Sequence, residues 1–124
     1  MNRYVLTVDL KDDPAAIATY KQYHQRVWPE VLASLRTAGI REMDIFLLER
    51  RLVMVVETDG RDIRHCFGLH HGSHPRVIEW ETLMTSLQVP PPGAPPGEWW
   101  TVMTPVFRLD IAGDTAAATG TRTR

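Results

Sequence analysis

The sequence predicts an α+β domain on the ferredoxin-like βαββαβ plan, and three observations predict it. Segments rich in Val, Ile, Leu, Thr and Tyr are separated by segments whose apolar residues recur at helical spacing. Their order is β-α-β-β-α-β, with the middle two strands joined by a short polar turn. At 124 residues, 44% hydrophobic and 23% charged, the chain suits one domain with one core. Such a plan gives one antiparallel sheet with helices on one face. The other sheet face needs a cover, which points to a homodimer.

Each element has its own signal. Arg3–Leu10 alternates loosely and reads as a strand. Asp12-Asp13-Pro14 supplies a capping carboxylate and then a proline at the first helical position. A helix is expected from Pro14 to about Ala38, with Ile17, Tyr20, Val27, Trp28, Val31 and Leu35 on its apolar face. Pro29 must kink or restart it, and Gly39 stops it. Ile40–Leu48 is the second strand, facing Met43, Ile45 and Leu47 one way. Glu49-Arg50-Arg51 turns the chain into a third strand, Leu52–Glu57, whose apolar run predicts burial on both faces. A helical region follows from Asp59-Gly60-Arg61 to about His70, and Gly72 breaks it. Ser73-His74-Pro75 restarts a helix to about Leu87, carrying Val77, Trp80, Leu83, Met84 and Leu87. Pro90–Gly97 is an irregular loop, and Val102–Leu109 is the last strand. The expected domain is 1–110, with a disordered tail at 111–124 rich in Ala, Thr and Gly.

Composition narrows the function classes. A net charge of -1 implies no basic surface for nucleic acid or an anionic membrane. No apolar run is long enough to cross a bilayer. Asp9 interrupts the N-terminal apolar stretch, which therefore lacks a signal-peptide core. Cys66 is alone, so no intrachain disulfide forms. A cytoplasmic protein is expected.

The chemistry concentrates in Tyr20-Lys-Gln-Tyr23-His24-Gln-Arg-Val-Trp28-Pro29-Glu30. On a helix, residues four apart share a face, so Tyr20, His24 and Trp28 would look the same way. One reading is a core histidine between packing aromatics. The other is a proton-transfer pair beside a flat ring, a combination that suits a sugar's hydroxyl edge and C–H face. A second cluster runs His65-Cys66-Phe-Gly-Leu-His70-His71-Gly-Ser-His74. Its spacing is poor for a metal, because Gly72 breaks the helix and no carboxylate sits at a matching interval. A solvated inter-helix loop is expected there, with His70 or His71 able to line a pocket. Trp80 has the spacing of a core residue, and Glu79 and Glu81 beside it are expected to face water. Trp99 and Trp100 follow the Pro/Gly loop and could wall a pocket, with strand geometry letting only one point inward.

From about Arg3 to Leu109 the chain resembles the L-rhamnose mutarotase family, small dimeric α/β-barrel proteins that interconvert sugar anomers. The carriers are Tyr20-x3-His24-x3-Trp28-Pro29-Glu30, Gly39-Ile40-x4-Ile45, Trp80-x3-Met84 and Pro105-Val106-Phe107. The resemblance implies that His24 is the catalytic acid/base, Tyr20 its partner at the substrate, and Trp80 a sugar-stacking wall. Two positions depart. The family tends to an aromatic pair where this chain has Trp80-Glu81, and to a tyrosine where it has Met43; both are substrate contacts in the family. The loop before Glu98-Trp99-Trp100 resembles a subgroup associated with L-fucose-type sugars.

The expected activity is therefore a mutarotase for a 6-deoxy-L-hexose, L-rhamnose or L-fucose, without cofactor or metal. His24 and Tyr20 are the expected catalytic residues. Trp28, Met43, Trp80, Glu81 and Trp100 are the expected substrate contacts, with Met43, Ile45 and Val55 offered as the wall for the 6-methyl group. The rival readings are a non-catalytic dimer that binds a sugar or metabolite, a haem-binding or oxygenase member of the same barrel fold, and a plain assembly domain.

Overall fold

The computed structural model of the chain describes residues 2–109. Along the chain lie β1 (Asn2–Leu10), α1 (Pro14–Tyr23), α2 (Pro29–Thr37), β2 (Ile40–Leu48), β3 (Arg51–Thr58), α3 (Ile63–His70), α4 (Pro75–Thr85), β4 (Gln88–Val89) and β5 (Thr101–Val102). The sheet order is β2-β3-β1-β4, with β5 also on β1, and every pairing is antiparallel. This is the ferredoxin-like α+β arrangement. The expected tail at 111–124 lies outside the described residues.

The long helix expected from Pro14 to Ala38 is two helices. Asp13 caps α1, its carboxylate accepting the Ala15 N–H at 3.0 Å, and Pro14 opens the first turn. α1 ends at Tyr23 with His24 as its C-cap. Pro29 then starts α2, and the residue before it, Trp28, is extended as a pre-proline residue prefers. Gly39 ends this region at φ 104, a conformation open to glycine.

The sheet packs one face against the helices. Leu6, Val8 and Leu10 of β1 and Leu52, Met54 and Val56 of β3 are buried there beside Val31, Ile63, Cys66, Val77, Trp80 and Met84. Each fully buried aliphatic side chain contributes about 1.5–3 kcal/mol. The same alternation turns Met43, Ile45 and Leu47 inward and leaves Phe46 and Leu48 exposed on the far face. Double-sided burial of β3 is corrected: Leu52, Met54, Val56 and Thr58 are buried, whereas Val53 and Val55 opposite are half-buried. Among the described residues no helix covers their side. On that side Asp9 is held by Arg51 at 2.7 and 3.2 Å, and Thr7 donates to the Leu52 carbonyl at 2.8 Å.

The last strand is also corrected. Leu10 pairs with Gln88 and Asp9 with Val89, while Thr7 pairs with Thr101 and Leu6 with Val102. β4 and β5 are thus two pieces of one edge strand, interrupted by an excursion over residues 90–100. The Met103 N–H still donates to the Val5 carbonyl at 2.7 Å. Beyond it Pro105 has no N–H for the ladder, and residues 103–109 are exposed. Among the described residues no helix is long and apolar enough to cross a membrane.

Candidate active site

The split between α1 and α2, and the excursion at residues 90–100, leave a cavity of about 790 Å³ between the sheet and the helices. Its floor is Leu6, Ile40, Met43, Ile45 and Met54 from the strands. Tyr20, His24, Val31 and Leu35 line one side, His70, His71, Trp80 and Glu81 another, and Glu98, Trp99 and Trp100 a third.

The histidine's setting follows from the end of α1. The last turn of a helix leaves carbonyls without an intrahelical partner. The Tyr20 carbonyl receives the His24 N–H at 3.2 Å and also lies 2.9 Å from His24 Nδ1. A carbonyl can only accept, so Nδ1 carries the proton and Nε2 keeps a lone pair in the neutral ring. The imidazole stacks on the Tyr20 ring with centroids 4.1 Å apart and meets the Trp80 ring edge-on at 5.4 Å. Burial pushes the His24 pKa below its ordinary value, against the upward pull of the Tyr20 carbonyl. Burial also pushes the Tyr20 phenol up, so it stays protonated at neutral pH.

Trp28 does not share the face of Tyr20 and His24, because the helix ends before it. It packs against Trp80 at 5.1 Å, and the Arg76 guanidinium covers its ring at 3.7 Å. It borders a separate shallow groove with Tyr23 and Glu79 instead of the main cavity. Trp80 is only 5% exposed, so it is both a core residue and a wall of the cavity. Val55 pairs with Val5 and Asp44 on the far sheet face, which removes it from any wall. Trp99 and Trp100 both line the cavity. They precede β5, so the two-residue alternation of a strand does not apply to them.

Glu81 was expected in water and is instead half-buried in the cavity wall. One residue along a helix is a rotation of about 100°, and α4 has Trp80 in the core and Glu81 turned toward the end of α3. His71 Nδ1 lies 3.1 Å from Glu81 Oε1, and His70 Nε2 lies 3.6 Å from Oε2. Burial raises the Glu81 pKa, but the imidazoles of His70 and His71 more than reverse this and bring it to about 2. The hydrogen bond to Glu81 raises the His71 pKa in turn. His70 is buried, not solvated, and its Nδ1 lies 2.7 Å from Ser34 Oγ. His74 caps α4 by accepting the Arg76 N–H at 3.0 Å, and His65 is exposed. The histidine cluster is therefore dispersed over separate tasks. Glu79 is exposed and pairs with Arg76 at 2.9 Å.

Sequence reasoning placed His70 or His71 and Glu81 at a pocket but missed that the two histidines pair with Glu81 and that Ser34 meets His70, and it left Glu98 out of the candidate contacts although it lines the cavity. Only the carboxylate beside the two pocket tryptophans, at Glu98, carried a readable signal. The others come together through contacts between α2, α3 and α4.

A family model described as L-rhamnose mutarotase matches residues 3–109. A protein of Xanthomonas campestris pv. campestris named L-fucose mutarotase is 42% identical over 115 residues, covering 90% of this chain and 91% of that protein. A protein of Acidiphilium cryptum named L-rhamnose mutarotase is 49% identical over 35 residues, covering 28% of this chain and 34% of that protein. Among solved structures, an L-rhamnose mutarotase from Formosa agariphila superposes with a TM-score of 0.63 at 20% identity, covering 89% of this chain and all (100%) of that one. The tetracenomycin F2 cyclase of Streptomyces glaucescens, a type-II polyketide cyclase, shares the fold at a TM-score of 0.53 and 16% identity, over 89% of this chain and 98% of its own. By the family match across the domain and the identity to a full-length relative, this chain belongs to the L-rhamnose mutarotase family, isomerase-type enzymes acting on sugars.

Proposed function

We propose that the chain interconverts the anomers of a 6-deoxy-L-hexose, L-fucose or L-rhamnose, by acid/base opening and reclosure of the ring. The observation that carries this reading is the state of His24. Its Nδ1–H is committed to the Tyr20 carbonyl, so the Nε2 lone pair is the available base in a cavity walled by indoles and aliphatic side chains. Nε2 takes the proton of the anomeric hydroxyl as the bond from C1 to the ring oxygen breaks. The neutral Tyr20 phenol donates toward that ring oxygen, directly or through water. Rotation about the C1–C2 bond and the reverse transfers close the ring on the other face. Such catalysis is worth about 10²–10⁴-fold, which suffices for a reaction that already proceeds slowly in water. Met43 and Ile45 offer the apolar wall for the 6-methyl group, Trp80 and Trp100 the plates for the sugar's C–H face, and Glu81 an acceptor for a hydroxyl.

The name of the Xanthomonas relative favours L-fucose, and that of the family model L-rhamnose. The exposed Phe46 and Leu48 on the far sheet face suit a homodimer packed sheet to sheet. Saturation-exchange NMR between anomeric protons, run on L-fucose, L-rhamnose and their D-forms, tests the activity. Exchange above the buffer rate is expected for at least one L-sugar. Exchange at the buffer rate for both, with binding still detected, would make the chain a sugar-binding protein and not a mutarotase.

A further inference from the structure

We infer that Glu98 is a further substrate-binding residue of this site, its carboxylate accepting a hydroxyl of the bound sugar. The inference rests on the proposed mutarotase reading and adds a residue to it. Glu98 lines the same cavity as Tyr20 and His24. Its Oε1 is sealed from the surface and has no hydrogen-bond partner among the described residues. Buried polar atoms are almost always paired, and an unpaired carboxylate oxygen is among the most costly exceptions. Arg36, Arg41 and Arg64 also line the cavity, yet no ion pair joins any of them to Glu98 among the described residues.

The backbone around Glu98 is built to hold it there. The excursion at 90–100 leaves the edge strand after Val89 and rejoins it at Thr101. Gly97 turns the chain at φ 82, and the Glu98 N–H donates to the Pro95 carbonyl at 3.0 Å. Trp99 and Trp100 then anchor the segment against the core. Glu98 is thus tethered between a turn and two indoles, with its side chain in the lining of the cavity. An ionised carboxylate only accepts hydrogen bonds. Its complement is a neutral donor such as a sugar hydroxyl, set beside the apolar plates that meet the C–H face.

The test combines kinetics and stability in wild type, Glu98→Gln and Glu98→Ala. Anomer exchange with L-fucose and L-rhamnose should show KM raised about tenfold or more in Glu98→Ala, with kcat changed less, and an intermediate effect in Glu98→Gln. Monodeoxy sugars identify the partner: the analogue lacking the accepted hydroxyl should bind wild type and Glu98→Ala alike. Without sugar, Glu98→Ala should melt at or above the wild-type temperature, because an unpaired buried oxygen has been removed. Unchanged KM in both variants overturns the inference while leaving the mutarotase reading intact. A fall in Tm with unchanged KM assigns Glu98 a structural task and overturns it as well. Failure of the wild type to exchange or bind any aldose overturns the mutarotase reading and this inference with it.

Discussion

Replacing Glu81 with Gln keeps its shape and removes its charge from between His70 and His71. The wild-type carboxyl is brought from 4.5 to about 2, a change that stabilises the charged form by up to roughly 3 kcal/mol at ~1.4 kcal/mol per tenfold. The side chain is 35% exposed, and solvent screening reduces this to about 1–2 kcal/mol. A carboxyl with a depressed folded pKa contributes stability above its unfolded value of 4.5 and loses it as pH falls toward about 2. A histidine with a raised folded pKa contributes stability below its unfolded value of 6.5 and loses it as pH rises through the folded one. The Glu81–His71 pair is one interaction seen from both partners, so it is counted once, and its window lies between 4.5 and 6.5. Thermal denaturation of wild type and Glu81→Gln should therefore differ most in that window, by roughly 4–8 °C. The gap should narrow at about pH 3 and again at about pH 9. A gap independent of pH, or one that widens in acid, would refute an ionic origin for the Glu81 contribution.

Other variants probe the site and its frame. Tyr20→Phe should lower kcat by about 10²-fold with KM changed only a few-fold, read by anomer exchange; a wild-type rate would make the phenol a packing group. Gly39→Ala should destabilise by about 1–3 kcal/mol in urea, because φ is +104 and the new Cβ would sit 2.6 Å from Arg61 Nη2 and 3.0 Å from Asp59 Oδ1. An unchanged urea midpoint would show that the turn relaxes freely. The wild-type exchange rate should fall on the acid side, with its midpoint below 6.5, since the base is a buried imidazole with a lowered pKa; a midpoint above 6.5 would point to a different base.

The strands and helices were legible where local chemistry decides them. Asp13-Pro14 and Gly39 mark helix ends by capping and by positive φ, and the alternation of Met43, Ile45 and Leu47 marks an inward face. Helical spacing misplaced Trp28, because Pro29 restarts the helix and does not merely bend it. Period-two reasoning failed at Trp99-Trp100 for a similar reason: the strand begins one residue later. The last strand was overread because Val106, Phe107 and Leu109 carry strand-forming side chains, whereas the pairing on β1 stops at Val102 and Pro105 has no N–H to continue it. His24 and Tyr20 were legible as a pair, four residues apart across the last turn and C-cap of α1. The Glu81–His70–Ser34 contacts were not, because they join three helices whose mutual placement no local pattern encodes.

The central claim is that the His24 imidazole moves the anomeric proton. Saturation-exchange NMR on a folded His24→Ala variant, with the L-sugar that wild type turns over fastest, tests it most directly. Exchange should fall to the buffer rate while the variant still binds the sugar and keeps its fold. A folded His24→Ala protein that exchanges anomers at the wild-type rate would contradict it.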